Sequence, residues 1–106
     1  MSHIIIIVTA SNDEEASMIS NTLVQERLAA CSNMFPVNSI YLWQGNLENE
    51  AEVMMFLKTR EDLLFNVIAR VKELHSYDVP EIIAIPIIEG SNDYIDWLDE
   101  NTLEIL

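Results

Sequence analysis

The sequence has 106 residues, of which 18 are acidic and five are basic, and its formal net charge is −13. Five cations cannot neutralise many phosphates, so the composition argues against nucleic acid as a partner and against anionic membrane surfaces. The single cysteine, Cys31, excludes an intrachain disulfide and a cysteine-rich zinc site.

The first predicted elements are a strand and a helix. The β-branched run at residues 4–9 predicts a strand that is buried on both faces. Ser11 and Asn12 are suited to cap the following helix, and the spacing of Ser11 and Glu14 predicts a capping box. Residues spaced three and four apart predict one stripe facing the sheet and a helix end near Ala29 or Ala30; they are Ala16, Ile19, Leu23, Arg27 and Ala30.

A long hairpin is predicted next. The segment 35–43 has strand composition, the cluster 44–46 (Gln-Gly-Asn) is turn-like, and residues 48–59 form the return strand. Three glutamates, Glu48, Glu50 and Glu52, alternate along the outer half of this strand. They either gather a divalent cation or form a solvated edge that discourages misassembly, and we favour the edge.

The remaining elements are a helix from about Glu61, a strand over residues 81–88 and a short terminal helix capped near Ser91. The apolar stripe of the second helix is predicted to be Leu64, Val67, Ile68, Val71 and Leu74 or His75, and that of the terminal helix Tyr94, Ile95, Trp97 and Leu98. The order β-α-β-β-α-β with a C-terminal helix predicts an α+β, ferredoxin-like sandwich with a long β-hairpin.

The predicted hairpin from Ser39 to Thr59 is long for so small a domain. Strands of ten to twelve residues reach ~35–40 Å, whereas the radius of gyration expected for this length is ~13 Å. The overhang would carry Tyr41, Trp43 and unpaired backbone edges, which favours pairing with identical subunits in a closed ring. Half of the residues are apolar, which agrees with burial in an interface. Length alone leaves dimer and trimer open.

Domain number and location follow from what the sequence lacks. It has no internal repeat, low-complexity tract or Pro/Gly-rich linker, so residues 1–106 are predicted to form a single domain. The apolar run at residues 4–8 is too short for a signal peptide core, and no stretch approaches the ~18 apolar residues of a membrane span. These features predict a cytoplasmic protein.

Four segments taken together resemble the CutA family of divalent-cation tolerance proteins. They are residues 27–31 (RLAAC), 41–50 (YLWQGNLENE), 57–59 (LKT) and 74–87 (LHSYDVPEIIAIPI), and the resemblance runs from about Ile4 to Leu98. It implies a cytoplasmic homotrimer of ferredoxin-like subunits, linked to metal-ion tolerance and similar in fold to PII-type signalling proteins.

The resemblance also implies copper as a candidate ligand, because the family's copper site combines a cysteine of the first strand with two histidines at the end of the second helix. The corresponding positions here are Val8, Leu74 and His75, so only His75 remains as a metal-binding residue. His75 is either that ligand, with carboxylate help from Glu81, or a residue that bonds the free carbonyls at the helix end. We favour the structural role.

Five residues are candidate ligand-binding residues. Lys58, Tyr77 and Glu81 would form a pocket of convergent polar groups, although a partly buried ion pair is the commoner role for such a lysine. Trp43 and Trp97 either wall a cleft between subunits or anchor an interface, and we favour the interface.

No catalytic motif is present: the sequence has no Gly-rich phosphate loop, no HExxH motif and no nucleophile with an evident base. The prediction is a non-enzymatic homotrimer that binds a metal ion such as copper, or a small molecule, at inter-subunit clefts. Two alternatives stay open. One is an enzyme that uses Lys58, Tyr77 and Glu81, and the other is a structural scaffold for other proteins.

Overall fold

A computed structural model describes residues 2–104, which build a four-stranded antiparallel sheet with the order β2-β3-β1-β4. The elements are β1 (His3–Ala10), α1 (Asp13–Gln25), β2 (Cys31–Trp43), β3 (Asn46–Arg60), α2 (Leu64–Leu74), β4 (Ile82–Ile87) and α3 (Asn92–Glu100), with a 3-10 turn at Glu61–Leu63. This arrangement confirms the predicted α+β, ferredoxin-like order with its long hairpin and terminal helix.

Side-chain burial alternates along the central strands. In β1, Ile4, Ile6 and Val8 are buried, whereas Ile5 and Ile7 are only partly covered. The buried set packs with the apolar stripes of α1 and α2 into one core, whose fully buried members include Ile6, Val8, Ile19, Leu23, Met55, Leu57, Leu63, Val67 and Val71. The prediction that β1 is buried on both faces is therefore wrong for the single chain, because both long helices cover the same face.

The start of α1 is capped one residue later than predicted, and the return bond of the box reaches the residue before the cap. Asn12 is the last extended residue before the helix, and its side-chain oxygen accepts the Glu15 N–H at 2.8 Å. The Glu15 carboxylate accepts the Ser11 N–H at 3.0 Å in return. The helix ends at Gln25 rather than near Ala29, and Arg27 follows in left-handed backbone with φ of 61°, outside the predicted stripe.

The hairpin of β2 and β3 extends well beyond the rest of the sheet. Its strands pair without interruption from Cys31–Lys58 to Trp43–Asn46, but β1 reaches only from Arg60 to Val53 of β3. Gln44 and Gly45 form the turn with φ of 51° and 82°, as a two-residue type I′ turn requires. We call residues 37–52 the hairpin arm; it contributes to molecular extents of 45 × 25 × 21 Å.

The terminal helix α3 packs only partly on the core. Leu98 is fully buried, while Tyr94 and Trp97 are 39% and 42% exposed. Two arginines fix the end of this helix and the segment that follows: Arg27 donates to the Glu100 carbonyl at 2.6 Å, and Arg60 donates to Thr102 Oγ1 at 2.8 Å. In the part of the chain from residue 2 to 104, no helix is long and apolar enough to cross a membrane.

Candidate functional site

A cavity of about 600 Å³ lies between the hairpin arm and the loop at residues 75–81, and we call it the arm cavity. Its lining residues come from the end of β1, from both strands of the arm and from the loop: Thr9, Ser39, Ile40, Tyr41, Trp43, Glu52, Tyr77, Asp78, Val79 and Glu81. Three of the predicted ligand-binding residues, Trp43, Tyr77 and Glu81, thus share one cavity. Its volume is within the ~300–1,000 Å³ typical of small-molecule sites.

Tyr77 joins the loop to the base of the arm. Its phenol donates to Glu52 Oε2 at 2.8 Å, and Glu52 is only 7% exposed. Burial, followed by the hydrogen bond to Glu52 and the negative charge of that carboxylate, raises the pKa of Tyr77 well above its ordinary value of 10. The prediction that Glu52 belongs to a solvated edge is wrong, because the loop folds over its end of the strand.

The loop is fixed to the start of α1 by Glu15, which sequence reasoning missed. The Glu15 carboxylate accepts the Ser76 N–H at 2.8 Å on one oxygen and both the N–H and the hydroxyl of Ser11 on the other. Burial opposes ionisation of this carboxyl, but the hydrogen bonds from Ser11 and Ser76 outweigh it and lower the pKa of Glu15 to about 2. The ionised Glu15 thus positions the loop that carries Tyr77.

His75, the one candidate metal ligand, uses both ring nitrogens within the chain. Nε2 lies 2.6 Å from the Thr9 carbonyl oxygen, so it carries the hydrogen, and Nδ1 accepts the Tyr77 N–H at 3.0 Å. Its side chain is fully buried. The favoured structural role therefore takes an unexpected form, since His75 ties the helix end to β1 instead of bonding carbonyls of its own helix.

The donor set of one chain does not fit a resident copper ion. Neither nitrogen of His75 has a free lone pair, and Val8 and Leu74 offer none. Across residues 2–104, no group of three or more His, Cys, Asp or Glu side chains is placed to hold a metal ion.

Lys58 and Trp97 lie in a second cluster, away from the arm cavity. Lys58 is six residues beyond Glu52 on β3, which corresponds to about 20 Å. The Lys58 Nζ lies 5.8 Å from the centroid of the Tyr94 ring, which is 5.5 Å from the Trp97 ring. Within the described residues, no carboxylate lies at salt-bridge distance from Lys58. One chain therefore does not bring Lys58, Tyr77 and Glu81 together, and the enzyme hypothesis lacks its cluster.

Comparison with known proteins gives the same family along almost the whole chain. The family model described as CutA1 divalent ion tolerance protein matches residues 4–101. The divalent-cation tolerance protein CutA of Thermus thermophilus is 46% identical over 99 residues, which cover 92% of this chain and 96% of that protein. Protein CutA, chloroplastic, of Arabidopsis thaliana is 42% identical over 100 residues and is longer, so the match covers 93% of this chain but 55% of the plant protein.

Solved structures of similar proteins have the same fold. CutA1 from Oryza sativa superposes with a TM-score of 0.96 at 40% identity, covering 99% of this chain and 97% of that chain. The periplasmic divalent cation tolerance protein CutA from Archaeoglobus fulgidus superposes with a TM-score of 0.92 at 42% identity, covering 93% and 97%.

Proposed function

Because this chain belongs to the CutA1 divalent ion tolerance family, we propose that it acts in divalent-cation tolerance as a non-enzymatic homotrimer with ligand sites at its inter-subunit clefts. The observation that carries the proposal is the hairpin arm. One chain leaves apolar side chains of the arm exposed, and the arm forms one wall of the arm cavity. The arm cavity, with Trp43, Tyr77 and Glu81, is the site that we assign to the ligand.

Exposed apolar surface on the arm supports assembly. Three aliphatic residues on the arm, Ile40, Leu42 and Leu47, are 70%, 71% and 72% exposed. The outer edges of β2 and β4 are both unpaired within residues 2–104. Long open edges with apolar side chains pair with further strands or aggregate, and a defined partner strand from an identical subunit satisfies them.

The open face of the sheet supports the same proposal. Ile83 and Ile85 of β4 are 53% and 42% exposed on it, and Ile5 and Ile7 of β1 lie beside them in register. A contiguous apolar face of this kind is typical of obligate interfaces. We place the cluster of Lys58, Tyr94 and Trp97 in this subunit contact, and we propose that the half-buried Lys58 meets a carboxylate of the neighbouring subunit there.

Light scattering with a matched pair of variants tests the assembly. We expect a mass three times that of the 12.1 kDa chain for the native protein. Leu42→Glu places a charge on the arm and should give monomers, whereas Phe65→Glu changes a residue that is 80% exposed on α2 and should remain trimeric. A native protein that is monomeric at micromolar concentration, or equal dissociation of both variants, contradicts the proposal.

Calorimetric titration and a thermal-shift screen test the ligand. Copper, zinc and calcium salts should be titrated beside a library of small molecules, with Trp43→Ala as the variant that removes a cavity wall. We expect at least one ligand that binds the native trimer and loses affinity in Trp43→Ala. If no metal and no small molecule binds, and partner proteins instead depend on exposed loops, the scaffold alternative replaces this proposal.

The cytoplasmic location stays a prediction of the sequence. Among the similar proteins, one is named as periplasmic and others as chloroplastic. Fractionation of cells that express the native chain decides the location.

A further inference from the structure

We propose that the arm cavity binds a small organic cation, with an ammonium or guanidinium head group, instead of a bare metal ion. This inference rests on the proposed ligand-binding role of the arm cavity and names the chemical class of its ligand. It depends on three properties of the lining: the sign of its charge, its aromatic walls and the spacing of its carboxylates.

The charge of the lining is negative and has no internal counterion. Glu52, Asp78 and Glu81 line the cavity, and no Lys, Arg or His is among its lining residues. Glu52 is 7% exposed and makes no salt bridge within the described residues. Every buried side-chain oxygen and nitrogen of those residues has a hydrogen-bond partner. Its Oε2 accepts the Tyr77 hydroxyl, so the accessible part of the carboxylate is available to a cation in the cavity. A partly desolvated carboxylate without a counterion attracts cations more strongly than the same group in water.

The walls favour a cation that is weakly hydrated. Tyr41, Trp43 and Tyr77 contribute aromatic rings to the lining. The negative face of such a ring attracts alkylammonium and guanidinium groups, which give up their hydration readily. The Tyr77 hydroxyl is committed to Glu52, so the ring is held in a fixed position by the residue that supplies the charge.

The spacing of the carboxylates argues against a metal ion at this place. A divalent cation of small radius needs several oxygen or nitrogen ligands converging within ~2.0–2.6 Å of one point. No group of three or more candidate ligands in residues 2–104 meets that condition, although three acids line the cavity. A volume of about 600 Å³ instead suits an organic molecule whose cationic group contacts Glu52 while its body contacts the rings.

Tryptophan fluorescence provides a direct readout. Trp43 and Trp97 are the only tryptophans, and Trp97 lies outside the cavity lining. The Trp97→Phe protein therefore reports on Trp43 alone. Tetramethylammonium and n-butylammonium chlorides are the probes, with tert-butanol and n-butanol as neutral molecules of similar size and with magnesium and zinc chlorides at matched ionic strength.

We expect both ammonium probes to change Trp43 fluorescence with saturation and the alcohols to have no saturable effect. In the same background, Glu52→Gln should weaken binding about tenfold, because it removes one charge-assisted contact. The control is Glu100→Gln, which removes the same formal charge from an exposed residue beside Arg27, outside the cavity lining. It should change affinity less than twofold. Trp43→Leu, measured by calorimetry, should weaken binding about threefold or more.

Four results overturn the inference. They are equal saturation by the alcohols, equal weakening by Glu100→Gln, absence of any saturable response, and a response to zinc or magnesium alone that Glu52→Gln abolishes. A fifth arm uses Lys58→Met: if it raises the affinity for tetramethylammonium, the Lys58 ammonium of a neighbouring subunit occupies the cavity, and the inference fails for the assembled protein.

Light scattering on the same samples separates this inference from the proposed function. The lining residues named above all belong to one chain, although the proposed trimer sets them at an inter-subunit cleft, so ammonium binding by a monomeric protein would refute the trimer and leave the ligand class intact. A trimer that binds other ligands but no organic cation would refute only the ligand class.

Discussion

The two halves of β3 belong to regions that are stabilised in different ways. From Val53 to Lys58 the strand pairs with β1 on one side and β2 on the other, Thr59 and Arg60 pair with β1 alone, and alternate side chains reach the core beneath the helices. From Asn46 to Glu52 it pairs with β2 alone, in the hairpin arm. The contrast is clear for one residue type: Leu57 has no exposed surface, whereas Leu47 is 72% exposed.

This difference shows that one strand contributes to two kinds of stability. Burying a leucine fully contributes about 1.5–3 kcal/mol, so the inner half is held by its own chain. A two-stranded ribbon with exposed apolar side chains is marginally stable in water, so the arm needs contacts from outside the chain. The loop at residues 75–81 links the regions, because Glu15 holds it to α1 and Tyr77 holds the arm to it.

The largest effect is expected from truncating the same residue type in each half. Leu57→Ala leaves a cavity in a closed core and should lower the free energy of unfolding by about 2–5 kcal/mol. Leu47→Ala removes a side chain that its own chain leaves 72% exposed, so its cost should appear mainly as subunit dissociation on dilution. Thermal unfolding at several protein concentrations, with light scattering, measures both quantities.

Equal unfolding and dissociation of the two variants would contradict the proposed difference between the two halves of β3. If Leu47→Ala unfolds like Leu57→Ala at every concentration without prior dissociation, the arm is part of the same cooperative unit as the core. If Leu47→Ala has no effect on either quantity, the arm is not a subunit contact.

Acid should affect the link between the regions through Glu15. The pKa of this carboxyl is lowered from 4.5 to about 2 on folding, so the ionised form stabilises the native state above pH 4.5. That contribution, up to about 3 kcal/mol, is lost as the pH falls through 4.5 toward 2. The Glu15→Gln protein should be less stable than the native protein at pH 7, and the difference should disappear near pH 2.

Denaturant unfolding from pH 7 to pH 2 measures this dependence. The matched control is Glu14→Gln, which removes the adjacent, exposed carboxylate. A constant gap between the Glu15→Gln and native proteins down to pH 2 would show that Glu15 acts by packing and not by its charge.

Removing the hydrogen bond between Tyr77 and Glu52 should lower the free energy of unfolding by a smaller amount. Tyr77→Phe keeps the ring but removes the hydrogen bond to Glu52, and it should cost about 1–2 kcal/mol. Because the pKa of Tyr77 is raised above its ordinary value of 10, the phenolate absorbance that the variant loses should come from a titration step above pH 10. Loss of an earlier titration step instead would show that the bond to Glu52 does not persist in solution.

The sequence predicted the architecture because the architecture depends on local patterns. Alternation and β-branching predicted the strands. The apolar stripe through Val67 and Val71 predicted α2, and Gln44-Gly45 predicted the turn. The family resemblance was likewise carried by contiguous segments, and the comparisons confirm it. The error at the capping box is one residue, because Ser11 and Asn12 are equally good caps in isolation.

The candidate site was only half predicted, because its residues meet through a loop. Trp43, Tyr77 and Glu81 were predicted as ligand-binding residues. No local sequence pattern indicates that Tyr77 reaches Glu52 across the base of the arm. Lys58 was grouped with Tyr77 from residue type alone. In the structure Tyr77 contacts Glu52, and Lys58 lies six residues farther along β3. The signal for Glu15 was present, since a Glu three residues after Asn12 fits a capping box, but its second bond to Ser76 depends on the tertiary fold.

The smallest predicted effects are at the tip of the arm. Gly45 has φ of 82°, and a Cβ there would meet no heavy atom within 4 Å, so Gly45→Ala should cost about 1 kcal/mol from backbone strain alone. Gln44→Asn at φ of 51° should stabilise the tip by about 0.5 kcal/mol, because Asn tolerates this conformation better.

Hydrogen exchange of the amides near the turn measures both changes locally. If neighbouring subunits hold the arm, the two tip variants should alter exchange near Trp43 and Asn46 and leave the amides of β1 unchanged. Equal changes in β1 would mean that the tip is coupled to the core through its own chain, and the two halves of β3 would then be one region.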